Sequence, residues 1–116
     1  MPFSIIAALV AWLPEQVGVP CYAQVPETRP ASFCDVYRTG GGAGIGIDRP
    51  VVAVRCWADT AYNAEQLALR VRDAVSLRVG EAPGVWGARV NSGPYDSTES
   101  TRQPSSQVVF DIACEF

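Results

Sequence analysis

The sequence contains no histidine and no lysine, so all nine of its basic residues are arginines. Histidine and lysine are the usual bases that activate a serine or cysteine nucleophile, and their absence argues against nucleophilic catalysis. Paired carboxylates could still do acid–base chemistry, but Asp48, Asp59, Asp73 and Asp96 each suit a turn, a helix cap or a surface charge. We therefore expect a protein that is not an enzyme and has no catalytic residues.

The chain also lacks any run of basic residues, and its formal net charge is -3. This balance argues against direct, sequence-specific binding of nucleic acid. The apolar N-terminal stretch, MPFSIIAALVAWLP, is far below the roughly 20 residues of a membrane span. It also lacks the basic segment and cleavage site of a signal peptide. We expect no contact with a membrane and a protein that stays in the compartment where it is made.

Ligand-binding motifs are absent too. The four cysteines form no C-x-x-C pair and lie in strand-like runs, which favours buried, reduced thiols over a metal site. Disulfides would require an oxidising compartment. The tract Gly40–Gly46 (GGGAGIG) has no lysine, does not fit the spacing of a phosphate-binding loop and leads into a strand. It predicts a flexible hairpin tip, and we expect no cofactor and no metal.

The most informative stretch runs from Asp48 to Leu77. Its first half alternates like a strand, with one set of side chains on each face. At Asp59–Thr60, two good N-cap residues, the period becomes helical. The apolar stripe of this predicted helix comprises Ala61, Ala64, Leu67, Ala68, Val71, Ala74 and Val75.

The remaining segments complete one domain over residues 1–116. We predict a first helix that begins at Ser4 and ends near Pro14, and a polar loop over Gly93–Ser105. The other predicted strands are Cys21–Val25, Ser32–Thr39, Val85–Ser92 and Gln107–Phe116. The order α-β-β-β-α-β-β indicates an α+β fold with a mostly antiparallel or mixed sheet and two helices packed on one face.

Charged and aromatic residues supply the candidate contacts. Arg38 and Arg49 flank the glycine tract, with Asp35 and Asp48 beside them. They form either a solvated cross-strand ion-pair cluster or a contact with another subunit or a partner protein at the hairpin tip. Tryptophans more often lie in a core than in an interface. Of the three here, we expect Trp57 to be the weakest core candidate.

Three segments together resemble the tail terminator proteins of long-tailed bacteriophages, especially those that infect actinobacteria. They are RTGGGAGIGIDRPVVAVRCWADT, AYNAEQLALRVRDAV and the closing VNSGPYD…RQPSSQVVFDI. The D-R-P that precedes the strand V-x-V-x-x-W-A and the later R-x-P-x-x-Q run are the more specific parts. The order of elements is similar to that of this family, and the resemblance covers nearly the whole chain.

The resemblance implies a non-enzymatic virion protein located at the head-proximal end of the tail and assembled in the host cytoplasm. Such proteins form a homo-oligomeric ring, typically a hexamer, that caps the tail tube, stops its polymerisation and joins it to the head–tail connector. The implied partners are a second copy, the major tail tube protein and the connector or stopper protein. The implied interface residues are Arg38, Gly40, Gly41, Gly42, Gly44, Gly46, Asp48, Arg49, Tyr95, Asp96 and Arg102.

Two alternatives remain open at this point. Another phage neck, head–tail completion or minor tail protein would share the size and composition of this chain. A small ligand-binding or regulatory α+β domain of a bacterial cell would instead require a defined pocket within the monomer. The ring-forming interpretation predicts contact surfaces instead of such a pocket.

Overall fold

The computed structural model of the chain describes residues 2–99 and 103–116. Its two helices are α1 (Ile5–Val17) and α2 (Ala61–Arg78), and a short 3-10 turn over Val79–Glu81 follows α2. Its strands are β1 (Cys21–Tyr22), β2 (Phe33–Gly44), β3 (Ile47–Trp57), β4 (Val85–Asp96) and β5 (Ser105–Glu115). The predicted α+β class and the order α-β-β-β-α-β-β are confirmed.

The strands form one five-stranded sheet in the order β1-β2-β3-β5-β4. The short β1 pairs with β2 in parallel, and every other neighbouring pair is antiparallel. The sheet is therefore mixed, and β3 lies at its centre between β2 and β5. Strands of 11 or 12 residues span roughly 36–41 Å at about 3.3–3.4 Å per residue. This length accounts for most of the 43 Å longest dimension of the molecule.

Both helices pack on one side of this sheet. The α2 stripe is buried as predicted from Ala64 to Val75, whereas Ala61, in the first turn, is exposed. On the sheet, alternate residues of β3 and β5 face the helices. The core includes Leu9, Leu13, Val36, Val52, Val54, Cys56, Leu67, Val71, Val75, Val108, Phe110, Ile112 and Cys114.

Several predicted boundaries are wrong. The first helix continues through Pro14 to Val17, because a proline removes only one helical donor and the buried Val17 holds the last turn. Gly18, at φ 75°, then ends the helix. The first strand shrinks to Cys21–Tyr22. Strand β4 extends to Asp96 and β5 begins at Ser105, so both ends of the predicted Gly93–Ser105 loop belong to strands.

Within the described part of the chain, no helix is both long and apolar enough to cross a membrane.

A charge placed in the α2 stripe tests this arrangement. The side chain of Val71 is fully buried, whereas Leu77, on the same helix, is 76% exposed. We expect Val71→Asp to lower the free energy of unfolding by about 4 kcal/mol, because an unpaired carboxylate would be buried. The matched control Leu77→Asp should change it by less than about 1 kcal/mol. Urea unfolding measures both, and equal effects would contradict the assignment of the buried face.

Candidate functional site

The hairpin of β2 and β3 carries most of the predicted interface residues. Its strands stay paired as far as Gly44 and Ile47, so only Ile45 and Gly46 form the turn. The prediction that Gly40–Gly46 is a flexible loop is therefore wrong, because Gly40, Gly41, Gly42 and Gly44 belong to a paired strand. Ladder hydrogen bonds use only backbone groups, so a strand of glycines leaves no side-chain alternation in the sequence.

Two features make a glycine necessary at position 41. Gly41 has a φ of 92°, in the left-handed region. A Cβ atom there would collide with the carbonyl oxygen of Arg49 and lie 2.7 Å from the Cα of Pro50. The strand register shifts just before this point, between Arg38 and Gly40, which is typical of a β-bulge. At Gly42, in contrast, a Cβ atom would have nothing within 4 Å.

An ion pair crosses the hairpin. Arg38 donates from Nη1 to Asp48 Oδ2 at 2.7 Å and from Nη2 to Asp48 Oδ1 at 3.0 Å. The Arg38 Nε also donates to the carbonyl oxygen of Gly40 at 3.0 Å. The Arg38 guanidinium lowers the pKa of Asp48 below its ordinary value. Arg49 is exposed and forms no ion pair with any residue that the structure describes.

Asp35 does not join this ion pair, which corrects one part of the predicted cluster. It lies on the sheet face opposite the helices, is 3% exposed, and accepts three hydrogen bonds. Arg55 donates from Nε to Oδ1 at 3.1 Å and from Nη2 to Oδ2 at 3.0 Å. Trp57 donates from Nε1 to Oδ1 at 2.7 Å. The Asp35 carboxylate raises the pKa of Arg55. The hydrogen bonds from Arg55 and Trp57 compensate the cost of burying the charge of Asp35.

Aromatic rings and arginines cover the same face. Trp57 stacks on Phe33 with ring centroids 5.7 Å apart, and the guanidinium carbons of Arg29 and Arg55 each lie 4.9 Å from the centroid of the Trp57 ring. Trp57 is 3% exposed, so the expectation that it is the weakest core candidate is wrong. The exposed tryptophan is Trp86, at 55%. We call this set of side chains, Arg29, Phe33, Asp35, Tyr37, Arg55 and Trp57, the Asp35 cluster.

A chain of hydrogen bonds runs across the sheet from the Asp35 cluster to Tyr95 on the edge strand β4. Tyr37 donates to Gln107 Oε1 at 2.9 Å, and Gln107 Nε2 donates to the hydroxyl of Tyr95 at 2.7 Å. Asp96, the next residue, accepts from the backbone N–H of Thr98 at 2.8 Å, and hydrogen bonding from the side chain and then the backbone of Thr98 lowers the pKa of Asp96. Tyr95 and Asp96 thus occupy the start of the β4–β5 connection. Arg102, the remaining predicted interface residue, lies outside the described residues.

The predicted interface residues fall into two groups rather than one site. The hairpin turn lies beside the end of β5, since Ile47 is opposite Glu115. Tyr95 and Asp96 are opposite Gln107 and Ser106, near the beginning of the same strand. Glu115 and Gln107 are eight residues apart along β5, which corresponds to roughly 27 Å at about 3.4 Å per residue. The structure therefore places two different surfaces at opposite ends of the sheet.

The reactive side chains are engaged in packing. All four cysteines are buried free thiols, and Cys34 Sγ lies 3.7 Å from Cys56 Sγ on the neighbouring strand. The interaction with Cys34 and burial raise the pKa of the Cys21 thiol, which disfavours the nucleophilic thiolate. Among the described residues, no group of three or more acidic, histidine or cysteine side chains is arranged to hold a metal ion. The four thiols therefore contribute to the packing of the core.

Sequence reasoning missed two features. Ile45, which it placed inside a flexible loop without a role, is fully exposed at the hairpin turn, with a relative exposure of 104%. The Asp35–Arg55 pair was also missed, although alternation places Asp35 opposite the core face of β2 and Arg55 opposite the core face of β3. The strand register, Asp35 opposite Arg55, was the signal that the sequence alone could not supply.

Replacing Gly41 should destabilise the hairpin, whereas replacing its neighbour should not. We expect Gly41→Ala to lower the free energy of unfolding by about 2 kcal/mol or more, because alanine disfavours the left-handed region and its methyl group would collide with backbone atoms. Gly42→Ala, in open space, should change it by less than about 1 kcal/mol, with either sign. Thermal unfolding of the two variants gives the comparison. An unaffected Gly41→Ala variant would contradict the described turn geometry.

The two ion pairs should differ in their contribution to stability. The Asp35–Arg55 pair has side-chain exposures of 4% and 25%, against 18% and 37% for Asp48–Arg38. Asp35→Asn should lower the free energy of unfolding by about 3 kcal/mol, since it leaves a partly buried guanidinium unpaired. Asp48→Asn should lower it by less than about 1 kcal/mol. Urea unfolding at pH 7 measures both variants, and similar losses would contradict the difference in burial.

The contribution of the Asp48–Arg38 ion pair to stability should also depend on pH. Because the folded-state pKa of Asp48 is lowered, its stabilisation is complete above the unfolded-state pKa of about 3.9 and is lost as the pH falls through the folded-state value. The difference between the wild-type protein and Asp48→Asn should therefore disappear only in this acid range.

Comparison of the chain with known protein families and with curated proteins gives no match to either. A function for this protein therefore has to be inferred from its own residues and their geometry.

Proposed function

We propose that this protein is a phage tail terminator, a non-enzymatic subunit of a ring that caps the head-proximal end of the tail tube. In this role it stops the polymerisation of the tube and joins the tail to the head connector. The sequence resemblance to that family is one support. The observation that carries the proposal is the presence of two different exposed surfaces at opposite ends of a rigid sheet.

A closed ring with one kind of subunit requires such an arrangement. Rotational symmetry beyond a dimer joins subunits head to tail, so two unlike surfaces of each subunit must meet. One surface available for contact with another molecule is the hairpin end, where Ile45, Arg38 and Arg49 are accessible. A second is the end that carries Tyr95, which is 43% exposed, and Asp96. Tyrosine and arginine are among the residue types enriched in protein interfaces.

The described ends of the sheet are also stiff enough to present a fixed surface. Strand pairing holds the hairpin to its turn, and the Arg38–Asp48 ion pair crosses it. At the other end, the hydroxyl groups of Ser97 and Ser105 lie 2.8 Å apart, and Thr98 Oγ1 accepts from the backbone N–H of Ser105 at 2.9 Å. A pre-ordered surface loses less conformational entropy when it binds, which favours the assembly of many copies.

The experiment measures the mass of the purified protein in solution, alone and with the tail tube protein encoded by the same genome. We expect a closed oligomer, or a monomer that forms rings only on tubes, and we expect added protein to limit the length of growing tubes seen by electron microscopy. A monomer that neither binds tubes nor limits their length would contradict the proposal. Binding to the head connector without any effect on tubes would favour another neck protein instead.

Shortening the β2–β3 hairpin tests whether this end of the sheet is needed to cap the tail tube. Deleting Ala43, Gly44, Ile47 and Asp48 removes two opposed pairs while keeping the Ile45–Gly46 turn. These residues lie outside the core, but Asp48 pairs with Arg38, and Ile47 and Asp48 pair with β5, so the midpoint of thermal unfolding should fall slightly, whereas the limitation of tube length should be lost. Asp48→Asn, which removes the same ion pair and keeps the hairpin length, is the control. A shortened variant that caps tubes normally would exclude the hairpin from the contact.

A further inference from the structure

An apolar groove runs along the outer side of α1. Its volume is about 760 Å³, and its lining includes Phe3, Ala7, Ala8, Ala11, Trp12 and Pro83. The opposite side of α1 buries Ile5, Leu9, Leu13 and Val17 against the core. Three alanines leave room beside the larger Phe3 and Trp12. The groove is therefore a place where an apolar side chain from outside could be buried.

Ile45 is an apolar side chain that its own chain leaves uncovered. It is the first residue of the two-residue turn between β2 and β3, and its relative exposure is 104%. Gly46, at φ 74°, supplies the left-handed position of this turn, so nothing in the turn itself requires an isoleucine at position 45. Burying an isoleucine side chain is worth about 1.5–3 kcal/mol. An isoleucine at this position is therefore better explained by a contact with another molecule than by local folding.

The charges of the two surfaces are complementary. At the hairpin, Arg38 and Asp48 neutralise each other, and Arg49 has no ion-pair partner among the described residues. The groove is lined by Glu15 and Glu115, so its local charge is negative. Opposite charges around an apolar contact favour the correct orientation and disfavour the approach of like surfaces.

The hairpin cannot fill the groove of its own chain. Gly44 pairs with Ile47, and Ile47 pairs with Glu115 of β5, so the turn is held at the end of the sheet. The exposure of Ile45 agrees with this, since no atom of its own chain covers it. If the two surfaces meet, they come from different copies.

We propose that Ile45 of one copy inserts into the α1 groove of a second copy, with Arg49 near Glu15 or Glu115 of that copy. This proposal rests on the proposed function in that a ring requires contact between copies. It goes further by assigning the α1 groove as the surface that receives the hairpin, which leaves the Tyr95 end of the sheet for the tail tube or the connector. The contact joins unlike surfaces, so repeating it around an axis gives a ring when the rotation between neighbouring copies divides a full turn.

Cysteine cross-linking between differently substituted copies tests the contact directly. One batch of protein carries Ile45→Cys and another carries Ala11→Cys, and the native cysteines are all buried. After the batches are mixed at a concentration where the wild-type protein is oligomeric, a mild oxidant should give a covalent dimer that contains one chain of each kind. Each batch alone should give none. Ile45→Cys mixed with Leu77→Cys, an exposed position on α2, is the matched control.

A second measurement covers the case in which cysteine weakens the contact. Ile45→Asp should shift the mass of the oligomer to that of the monomer without changing thermal unfolding, because a charge would enter an apolar groove. Leu77→Asp should leave the mass unchanged. A wild-type protein that stays monomeric under all conditions would overturn the proposal, as would an oligomer unaffected by Ile45→Asp or equal cross-linking to both cysteine partners.

The outcomes separate this proposal from the proposed function. Suppose that Ile45→Asp caps tubes normally and that Ile45→Cys does not cross-link to Ala11→Cys. This result would overturn the contact and leave the function intact. Cross-linking through Ala11→Cys without any effect on tubes would support the contact and overturn the function. Cross-linking of Ala11→Cys to the tube protein instead would assign the groove to a different occupant and overturn the proposal.

Discussion

Burial of the central strand on both of its faces is the constraint on which the rest of this structure depends. On one face of β3, Val52 and Val54 pack against the helices. On the other face, Ala53 and Trp57 are buried without any helix above them. A strand with a neighbour on each side pairs its backbone polar groups, so it can be buried in this way. The helices, the glycine hairpin and the Asp35 cluster are all arranged around that strand.

The second face shows how a sheet can be closed with polar groups. Arg29 and Arg55 lie over the ring of Trp57, and Asp35 binds both Arg55 and the indole N–H. A carboxylate buried without donors would be costly, but this one accepts three hydrogen bonds. Ile45 and Tyr95 are exposed at opposite ends of this sheet, whereas Tyr62 and Leu77 are exposed on α2. A head-to-tail assembly requires two unlike surfaces on each subunit.

The errors of sequence interpretation occur where the local side-chain pattern carries no signal of the structure. Periodicity located α2, β3 and β5 well, because their buried side chains repeat at regular intervals. It failed at Gly40–Gly44, where a strand has no side chains to repeat, and at Pro14, where tertiary burial of Val17 outweighed a local helix breaker. It also ranked Trp57 below the other tryptophans, since the pattern does not show that arginines cover the helix-free face.

The sequence by itself determined the fold class, the buried stripe of α2 and the alternation of β3, because each of these is a local repeat of side chains along one segment. It also placed Arg38 and Asp48 close enough in the chain for a hairpin to join them. Only the tertiary structure decided that Asp35 pairs with Arg55, that Ile45 stands uncovered at the turn and that Tyr95 lies at the opposite end of the sheet. Those facts depend on strand register, which is fixed by pairing between distant segments and leaves no periodic signal in any one of them.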